Sequence, residues 1–323
     1  MWVTKRLQQE KKAHISFEIS PPPFGKGREK AIEIFDQLMS FEPDFISITF
    51  HQEIVSHKPT GDGKFEQVIE KPKAGTIPLC ALLEGKYGIP IVQHLLCGSF
   101  NREETAYALK EMAYVDLENV FALRGDPLIA QGQKYFVPEE NGHHYALELI
   151  EQIASFNRGE HCLNGVRETV KTNFCIGAAC YPEKHYEALN QEYGLRKLKL
   201  KVDKGVDYLI TQMFYDNQAF LSFTEKAKEA GITIPIIPGL NPLVTKKDIY
   251  DLPRVFHINI PQTLVETMEK AKDDSEVKKA SVEWLTQQSE ELLKKGVPSL
   301  HFFTEGRNSK IKVVREVYQR IFG

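Results

Sequence analysis

The sequence predicts an α/β fold made of a single (β/α)8 barrel, a TIM barrel, that occupies residues 1–323. Short apolar runs alternate with segments whose apolar residues recur at helical spacing. No G-x-G-x-x-G motif opens a predicted helix, which argues against a doubly wound cofactor domain. The eight predicted strands begin near residues 15, 45, 91, 119, 174, 207, 234 and 299.

Apolar spacing, with Gly and Pro at the ends of elements, gives the remaining assignments. Residues 1–13 are predicted to form an N-terminal helical extension, in which Trp2, Val3 and Leu7 pack on the fold. A long polar loop at residues 56–64 separates the second strand from its helix. The predicted helices are 28–39, a region ending near 85–88, 102–116 with a cap at Asn101, 143–156, 184–204, 217–230, the helical region 245–295, and 309–322.

The composition indicates a soluble globular protein. The charged fraction is 26%, the hydrophobic fraction is 42% and the net charge is -3, so no nucleic-acid partner is expected. No apolar run approaches the roughly 20 residues that cross a bilayer, and no signal peptide follows the basic N-terminal segment. A cytoplasmic location and a homo-oligomer are expected, without a predicted subunit count.

Five cysteines are scattered along the chain without a C-x-x-C pair. Several lie in apolar runs, so reduced and mostly buried thiols are predicted, and a structural zinc site has little support. The five are Cys80, Cys97, Cys162, Cys175 and Cys180.

Polar residues follow several of the predicted strands. In a barrel the carboxyl ends of the strands converge on one face, where active sites lie. Each residue alone is also typical of a turn or a strand end, but together they supply an acid, donors, acceptors and cations, which predicts an enzyme site. They are Glu18, Thr49, His94, Arg124, Asp126, Tyr181, Glu183, His185, Gln212 and Arg307.

Two of these positions are the most informative. Glu18 lies in an alternating strand, and if its side chain points inward, desolvation raises its pKa above the usual value of about 4.3. A carboxyl group that stays protonated can act as a general acid; if it points outward, it pairs with a neighbouring helix. After the fourth strand, Gly125 leaves room for a ligand, and Pro127 pushes Asp126 toward an extended conformation.

Metal binding is the main chemical alternative, because barrels often hold zinc or manganese with His and carboxylate ligands. The histidines form no i, i+4 pair, and neither an H-x-H nor an H-E-x-x-H motif occurs. A metal site is therefore disfavoured, and a metal-dependent barrel lyase or hydrolase remains an alternative function.

A series of short motifs occurs in one order between residues 15 and 307. They are Ser16-Phe17-Glu18, Ser47-Ile48-Thr49, His94 before Cys97, Ala122-Leu123-Arg124-Gly125-Asp126, Ala179-Cys180-Tyr181-Pro182-Glu183 with His185, Lys201-Val202-Asp203-Lys204-Gly205, Ile210-Thr211-Gln212, Ile236-Ile237-Pro238-Gly239, and Phe302-Phe303-Thr304 with Arg307. In this combination the chain resembles the methylenetetrahydrofolate reductase family, in its bacterial FAD-dependent type. Because the sequence ends just after the eighth helix, the regulatory domain of eukaryotic relatives is not expected, and the resemblance concerns the catalytic domain alone.

The resemblance implies an oxidoreductase, a flavoprotein of one-carbon metabolism that feeds methionine biosynthesis. NADH or NADPH would reduce bound FAD and leave, and methylenetetrahydrofolate would then receive the hydride and become methyltetrahydrofolate. Glu18 matches the family's acid, and Asp126 matches the carboxylate beside the flavin ring. Gln212 and Arg307 match further substrate-binding residues. A flavin- or folate-binding barrel without turnover is the second alternative.

The resemblance also implies how FAD is held without a Rossmann fold. His185 and Lys201 are expected to be cations on the helix after the fifth strand, facing the diphosphate. Gly194 and Lys197 replace the Asp and Asn that the family often has toward the FAD tail, so the adenosine contacts are not predicted. The implied FAD-binding residues are Thr49, His94, Arg124, Gly125, Asp126, Tyr145, Ala146, Tyr181, His185, Ala188 and Lys201.

Overall fold

The structure is a computed structural model that describes all residues except 12, 13, 24, 52, 53, 62, 71, 72, 74, 128–132, 134, 164, 165 and 168–170. The description covers the backbone alone for residues 54–57, 67, 69, 70, 99, 162, 163, 166 and 167.

A ring of parallel strands forms the centre of the fold, which confirms the predicted (β/α)8 barrel. The apolar runs become strands because their side chains are buried inside the ring or under the surrounding helices. Each barrel strand begins within two residues of its predicted start. In chain order, the strands of the described residues are β1 (Ile15–Ile19), β2 (Phe45–Ile48), β3 (Ile54–Pro59), β4 (Phe65–Glu70), β5 (Ile91–Leu96), β6 (Asn119–Leu123), β7 (Cys162–Leu163), β8 (Val166–Arg167), β9 (Cys175–Cys180), β10 (Tyr208–Thr211), β11 (Ile236–Ile237), β12 (Gly239–Leu240) and β13 (Leu300–Phe303).

The ring closes at a strand that is interrupted by Pro238. β11 pairs with β10 and β12 pairs with β13, so the two short strands together fill one place in the barrel. The other neighbours run β1, β2, β5, β6, β9 and β10, and β13 pairs back to β1. A Cβ at Gly239 would lie 2.3 Å from the carbonyl oxygen of Thr211, so this approach requires glycine.

Helices follow the barrel strands and cover the outside of the ring. Asn101 caps its helix as predicted, because its side chain accepts hydrogen bonds from the N–H groups of Glu103 and Glu104. The described helices are α1 (Val3–Arg6), α2 (Gly27–Met39), α3 (Thr76–Tyr87), α4 (Arg102–Tyr114), α5 (Ala146–Arg158), α6 (Gln191–Asp203), α7 (Asn217–Glu229), α8 (Asp248–Phe256), α9 (Gln262–Lys270), α10 (Asp274–Lys294) and α11 (Asn308–Phe322).

Several predicted elements differ from the structure. The N-terminal helix is one turn, α1, rather than 13 residues, and the predicted region 245–295 divides into α8, α9 and α10. α6 begins after residue 190 rather than at 184, because the Asn190 side chain caps it by accepting a hydrogen bond from the Tyr193 N–H. The polar stretch 56–64, predicted as a loop, contributes to the antiparallel hairpin β3–β4.

The amino end of the barrel is filled by side chains and closed by the first turn of the chain. Ring centroids of Phe45 and Phe121 lie 6.0 and 6.3 Å from that of Tyr208. Val3 is fully buried against this cluster, and its N–H donates to Oδ1 of Asn119 at 2.9 Å. Because the amino end is packed, the carboxyl ends of the strands remain as the place for a ligand site.

Packing inside the ring predicts a large effect at Gly177 of β9. An added Cβ would lie 2.5 Å from Cζ of Tyr208 and 2.6 Å from Cδ2 of Phe121. We predict that Gly177→Ala lowers the free energy of unfolding by about 1–3 kcal/mol, because two packed rings must move. Urea titrations followed by circular dichroism measure it.

The matched control is Gly85→Ala in α3, where nothing lies within 4 Å of the added Cβ. This variant should be as stable as the wild type or more stable, because alanine favours a helix by about 1 kcal/mol over glycine. Unchanged stability of Gly177→Ala would contradict the packing described for the barrel interior.

Candidate active site

Glu18 points into the barrel, which is the first of the two orientations considered from the sequence. Its Oε2 lies 3.7 Å from Nε2 of His94 on β5, and because β2 separates β1 from β5, this approach crosses the interior. The side chain is 19% exposed. Desolvation, reinforced by the negative charge of Glu305, raises the pKa of Glu18 to about 8, and Lys310 opposes the shift. Glu18 therefore carries its proton at pH 7.

His94 does not provide a positive charge for Glu18. Burial lowers the pKa of His94 to about 3, with a smaller contribution from His51. The distance of 3.7 Å is short enough for an ion pair. At pH 7, however, both Glu18 and His94 are neutral, so the contact is not an ion pair. Nε2 of His94 has no hydrogen-bond partner among the described residues, and its ring lies 5.1 Å from that of Phe121.

A buried lysine and its partners lie beside Glu18. Nζ of Lys310 donates to Oδ1 of Asn241 at 2.7 Å and to Oε1 of Glu305 at 2.5 Å. The backbone N–H groups of Thr304 and Glu305 donate to the carbonyl oxygen of Glu18 at 3.2 and 3.0 Å. These bonds attach the charged pair to the end of β1, so its two charges act on Glu18 at a fixed position.

The turn after β6 depends on a glycine. Gly125 has φ +90°, a conformation that favours glycine. Asp126 has an exposed side chain, yet partial desolvation raises its pKa, and the charge of Arg124 opposes that shift. Burial, and then the charge of Asp126, raises the pKa of Tyr181. Asp126 therefore lies near enough to Arg124 and to Tyr181 for their charges to interact.

Arg124 is held by an ion pair and by an aromatic ring. Its guanidinium donates to Oε2 of Glu187 and, at 3.3 Å, to the hydroxyl of Tyr186. The guanidinium carbon also lies 5.1 Å from the ring centroid of Phe136. These contacts hold the guanidinium plane in one orientation.

A cavity of about 660 Å³ opens beside the carboxyl ends of β6 and β9. Its volume is within the usual range for a ligand site, about 300–1,000 Å³. The lining includes many of the residues that the family resemblance implies for FAD, namely Arg124, Tyr145, Ala146, Tyr181, His185, Ala188 and Lys201. Gly194 and Lys197 also line it, whereas its described lining does not include Thr49, His94, Gly125 or Asp126.

Lys201, on α6, supplies a cation to this cavity. Its ammonium group has neither a hydrogen bond nor an ion pair to any described residue, and burial lowers its pKa. Lys197 lies one turn earlier, with Nζ 5.4 Å from the ring centroid of Tyr193. A cation that lines a cavity without a partner is typical of a site for an anionic group.

The predicted role of His185 as a helical cation is wrong. Residues 182–190 form bends and turns, and α6 begins only at Gln191. Burial lowers the pKa of His185 to about 4, so the ring is neutral at pH 7. The ring instead contacts Tyr181 edge-on, with centroids 4.6 Å apart, and its Nδ1 accepts a hydrogen bond from the Glu187 N–H at 3.2 Å.

The remaining predicted residues lie at other strand ends of the same face. Gln212 follows β10, and its Oε1 accepts a hydrogen bond from the next backbone N–H at 2.9 Å. Arg307 is exposed at the start of α11 and pairs with Glu305 at 2.9 Å. Thr49 follows β2, and its Oγ1 lies 3.0 Å from Nε2 of His51. These side chains therefore surround the end of the barrel at which Glu18 lies.

Sequence reasoning missed the aromatic lining of the cavity and the partners of Arg124. Tyr135, Phe136 and Tyr193 all line the cavity. The adjacent pair Tyr135-Phe136 is a visible signal, because two neighbouring aromatic residues stand in the connection between β6 and α5 rather than in a strand or a helix. The pair of Glu305 and Lys310 had no comparable signal.

Three further observations concern ligands and compartment. In the part of the chain that the structure describes, no group of three or more His, Cys, Asp and Glu side chains could hold a metal ion. No helix of the described residues is long and apolar enough to cross a bilayer. The cysteines found free and buried, as predicted, are Cys80, Cys97, Cys175 and Cys180, and the side chain of Cys162 lies outside the description.

Similar proteins carry one family name. Methylenetetrahydrofolate reductase 1 of Schizosaccharomyces pombe is 28% identical over 95% of this chain, and the match covers 46% of that protein. Methylenetetrahydrofolate reductase 2 of Saccharomyces cerevisiae is 30% identical, with 94% and 47% covered. The 5,10-methylenetetrahydrofolate reductase of Escherichia coli is 24% identical, with 91% and 86% covered. The chain thus spans about half the length of the yeast relatives and most of the bacterial one.

Among solved structures, a Clostridium thermocellum protein that binds two copies of 5-methyl-5,6,7,8-tetrahydrofolic acid has a TM-score of 0.57. It is 16% identical, and the match covers 99% of each chain, so this similarity concerns the fold. The model of the methylenetetrahydrofolate reductase family matches residues 3–320. The chain therefore belongs to the methylenetetrahydrofolate reductase family.

Proposed function

We propose that this chain is an FAD-dependent oxidoreductase that reduces methylenetetrahydrofolate to methyltetrahydrofolate in a ping-pong cycle. The observation that carries the proposal is Glu18, a carboxyl group that keeps its proton at neutral pH at the carboxyl end of β1. Relatives are named for NADH in Arabidopsis thaliana and for NADPH in Caenorhabditis elegans, so the proposed reductant is either of the two. The product would supply methyl groups for methionine synthesis.

The cavity beside β6 and β9 fits FAD by its chemistry. The rings of Tyr135, Phe136 and Tyr193 offer apolar faces for a flat ligand, and Lys201 offers an unpaired cation for a phosphate. When bound, FAD would accept a hydride from NAD(P)H and deliver it to the bridging carbon of the folate. The proposed FAD-binding residues are those of the implied set: Arg124, Tyr145, Ala146, Tyr181, His185, Ala188 and Lys201, which line the cavity, and Thr49, His94, Gly125 and Asp126 on the same face of the barrel.

Glu18 would act as the general acid. The bridging carbon of the folate becomes an electrophilic iminium only when the departing nitrogen receives a proton, and Glu18 holds one below pH 8. Because its pKa lies close to the working pH, Glu18 can both donate this proton and regain one from water.

Asp126 would act on the flavin and on the folate. A fixed negative charge beside the flavin ring disfavours additional negative charge there, which lowers the reduction potential and makes the reduced ring a stronger hydride donor. The Asp126 carboxylate can also accept hydrogen bonds from the amino edge of the pterin. Gln212 would bind the pterin through its side-chain amide, and the exposed guanidinium of Arg307 would bind the carboxylate tail of the folate.

We further propose that residues 1–323 form one catalytic domain that acts in the cytoplasm as a homo-oligomer. The continuous ring of strand pairs supports a single domain. Free, buried thiols at the described cysteines support a reducing compartment. The homo-oligomer remains a prediction from the sequence, and sedimentation velocity, which measures the mass of the assembly, tests it.

The first prediction concerns the proton donor. Glu18→Gln should slow folate reduction by about 10²–10⁴-fold, because the folate half-reaction loses its acid. NADH should still bleach the bound flavin at nearly the wild-type rate, because that half-reaction needs no proton from Glu18. In the wild type, folate reduction should slow as the pH rises through about 8, where Glu18 ionises. Anaerobic stopped-flow absorbance separates the two half-reactions.

The matched control is Glu33→Gln on the exposed side of α2, which should change neither rate. Equal losses in both half-reactions of Glu18→Gln would refute its role as the acid. Purified protein whose flavin is bleached by neither NADH nor NADPH would refute the reductase itself.

The second prediction concerns the charge beside the flavin. Asp126→Asn should raise the flavin reduction potential, because a negative charge is lost, and should weaken folate binding, because an acceptor is lost. Equilibration with reference dyes measures the potential, and flavin absorbance titrations measure binding. Asp116→Asn is the control, because it makes the same charge change before β6, at the other end of the barrel. An unchanged potential in Asp126→Asn would rule out the electrostatic role.

The third prediction concerns the unpaired lysine. Lys201→Met should weaken FAD binding by about tenfold or more, because a charge-assisted hydrogen bond to a phosphate contributes about 1.5–3 kcal/mol. Riboflavin has no phosphate, so its affinity should change little. Lys199→Met on the same helix removes a lysine that pairs with Asp203 and does not line the cavity. If Lys201→Met weakened riboflavin and FAD equally, Lys201 would not bind the phosphates.

A further inference from the structure

A second pocket, of about 570 Å³, lies apart from the cavity proposed for FAD, and the described linings share no residue. It lies between the start of α7, the segment before α9, and α10. We call it the α7–α10 pocket and define it by Glu183, Asp216, Asn217, Trp284, Gln288 and Glu291.

Two buried amide oxygens in this lining lack partners. Asn217 is 7% exposed and Gln288 is 5% exposed. Oδ1 of Asn217 and Oε1 of Gln288 accept no hydrogen bond from any described residue. Buried acceptors without a donor are rare because they destabilise the fold, so two in one pocket indicate a missing donor.

The other end of each amide fixes its orientation. Nδ2 of Asn217 donates to the carbonyl oxygen of Gln288 at 3.1 Å and to Oε2 of Glu291 at 2.7 Å. Nε2 of Gln288 donates to the carbonyl oxygen of Phe214 at 3.0 Å. Because all three partners are acceptors, turning either amide around would lose these bonds. The unpaired atoms are therefore oxygens, which need a hydrogen-bond donor from water or from a ligand.

The charge of the lining favours a cationic donor. Glu183, Asp216 and Glu291 contribute carboxylates, whereas the described lining contains no Lys, Arg or His. The bonds to two of them come from uncharged groups: Glu183 accepts from the backbone and side-chain N–H of Asn259, and Asp216 accepts from the backbone N–H of Gln218. The dipole at the start of α7 opposes a cation, but this effect is weaker than a charge-assisted hydrogen bond.

The aromatic lining of the pocket indicates which kind of cation it would bind. Trp284 adds an aromatic surface, which attracts organic cations. No group of three or more His, Cys, Asp and Glu side chains among the described residues could hold a metal ion. An organic cation is therefore favoured over a metal ion.

We propose that the α7–α10 pocket binds a small organic cation through its N–H donors, a guanidinium or an alkylammonium group. Oδ1 of Asn217, Oε1 of Gln288 and the carboxylate of Glu291 are its acceptors. These three acceptors are not among the residues proposed for the reductase, and the proposal does not depend on that function.

The test uses n-propylguanidinium as the probe and n-propylurea as its neutral isostere, with the full chain. Trp2 and Trp284 are the two tryptophans, so a Trp2→Phe background makes fluorescence specific for the pocket, while calorimetry gives affinity and stoichiometry. We expect one saturable site with a Kd below about 1 mM, and a Kd for the urea that is at least about tenfold higher, because the urea lacks the charge.

Two variants on α10 make the test specific. Glu291→Gln keeps an oxygen that can accept from Asn217 but removes the charge, and it should weaken the probe by about tenfold or more. Glu290→Gln makes the same charge change at the adjacent position, which does not line the pocket, and should change the affinity less than about twofold. No saturable binding, equal affinities for the two probes, or equal effects of the two variants would each overturn the proposal.

Discussion

Desolvation of a single carboxyl group, that of Glu18, is the interaction on which the proposed chemistry depends. The group stays protonated because the barrel removes water from it while the neighbouring His94 remains neutral. The hydrogen bonds from Thr304 and Glu305 to the Glu18 carbonyl lie where β13 pairs with β1. The barrel and the pKa of its acid are therefore coupled, because the pairing of β13 with β1 also positions Glu305.

The carboxyl face of the barrel is divided electrostatically. The cavity beside β6 and β9 contains the unpaired Lys201 and the nearby Lys197, which suits an anionic cofactor. The α7–α10 pocket contains carboxylates and unpaired amide oxygens, which suits a cation. The two sites share no described lining residue, and their opposite charges would select ligands of opposite charge.

Much of the fold could be predicted from the sequence, because the barrel strands are short apolar runs buried on both sides. The inward position of Glu18 could be proposed from strand alternation. The effect of Lys310 on the pKa of Glu18 could not be predicted, because the two residues are 292 positions apart in the sequence. Lys310 is held in place by Asn241 and Glu305, which are also distant from Glu18 in the sequence. The neutral state of His185 also escaped it, because burial is a property of the packed structure rather than of local spacing.

The most direct test is the titration of the Glu18 carboxyl group itself, by infrared difference spectra between the wild type and Glu18→Gln. The protonated carbonyl band of Glu18 should disappear around pH 8. In Glu305→Gln the same band should disappear at a lower pH, because the negative charge that raises the pKa is removed while Lys310 remains. Loss of the wild-type band near the ordinary value of 4.5 would contradict the account.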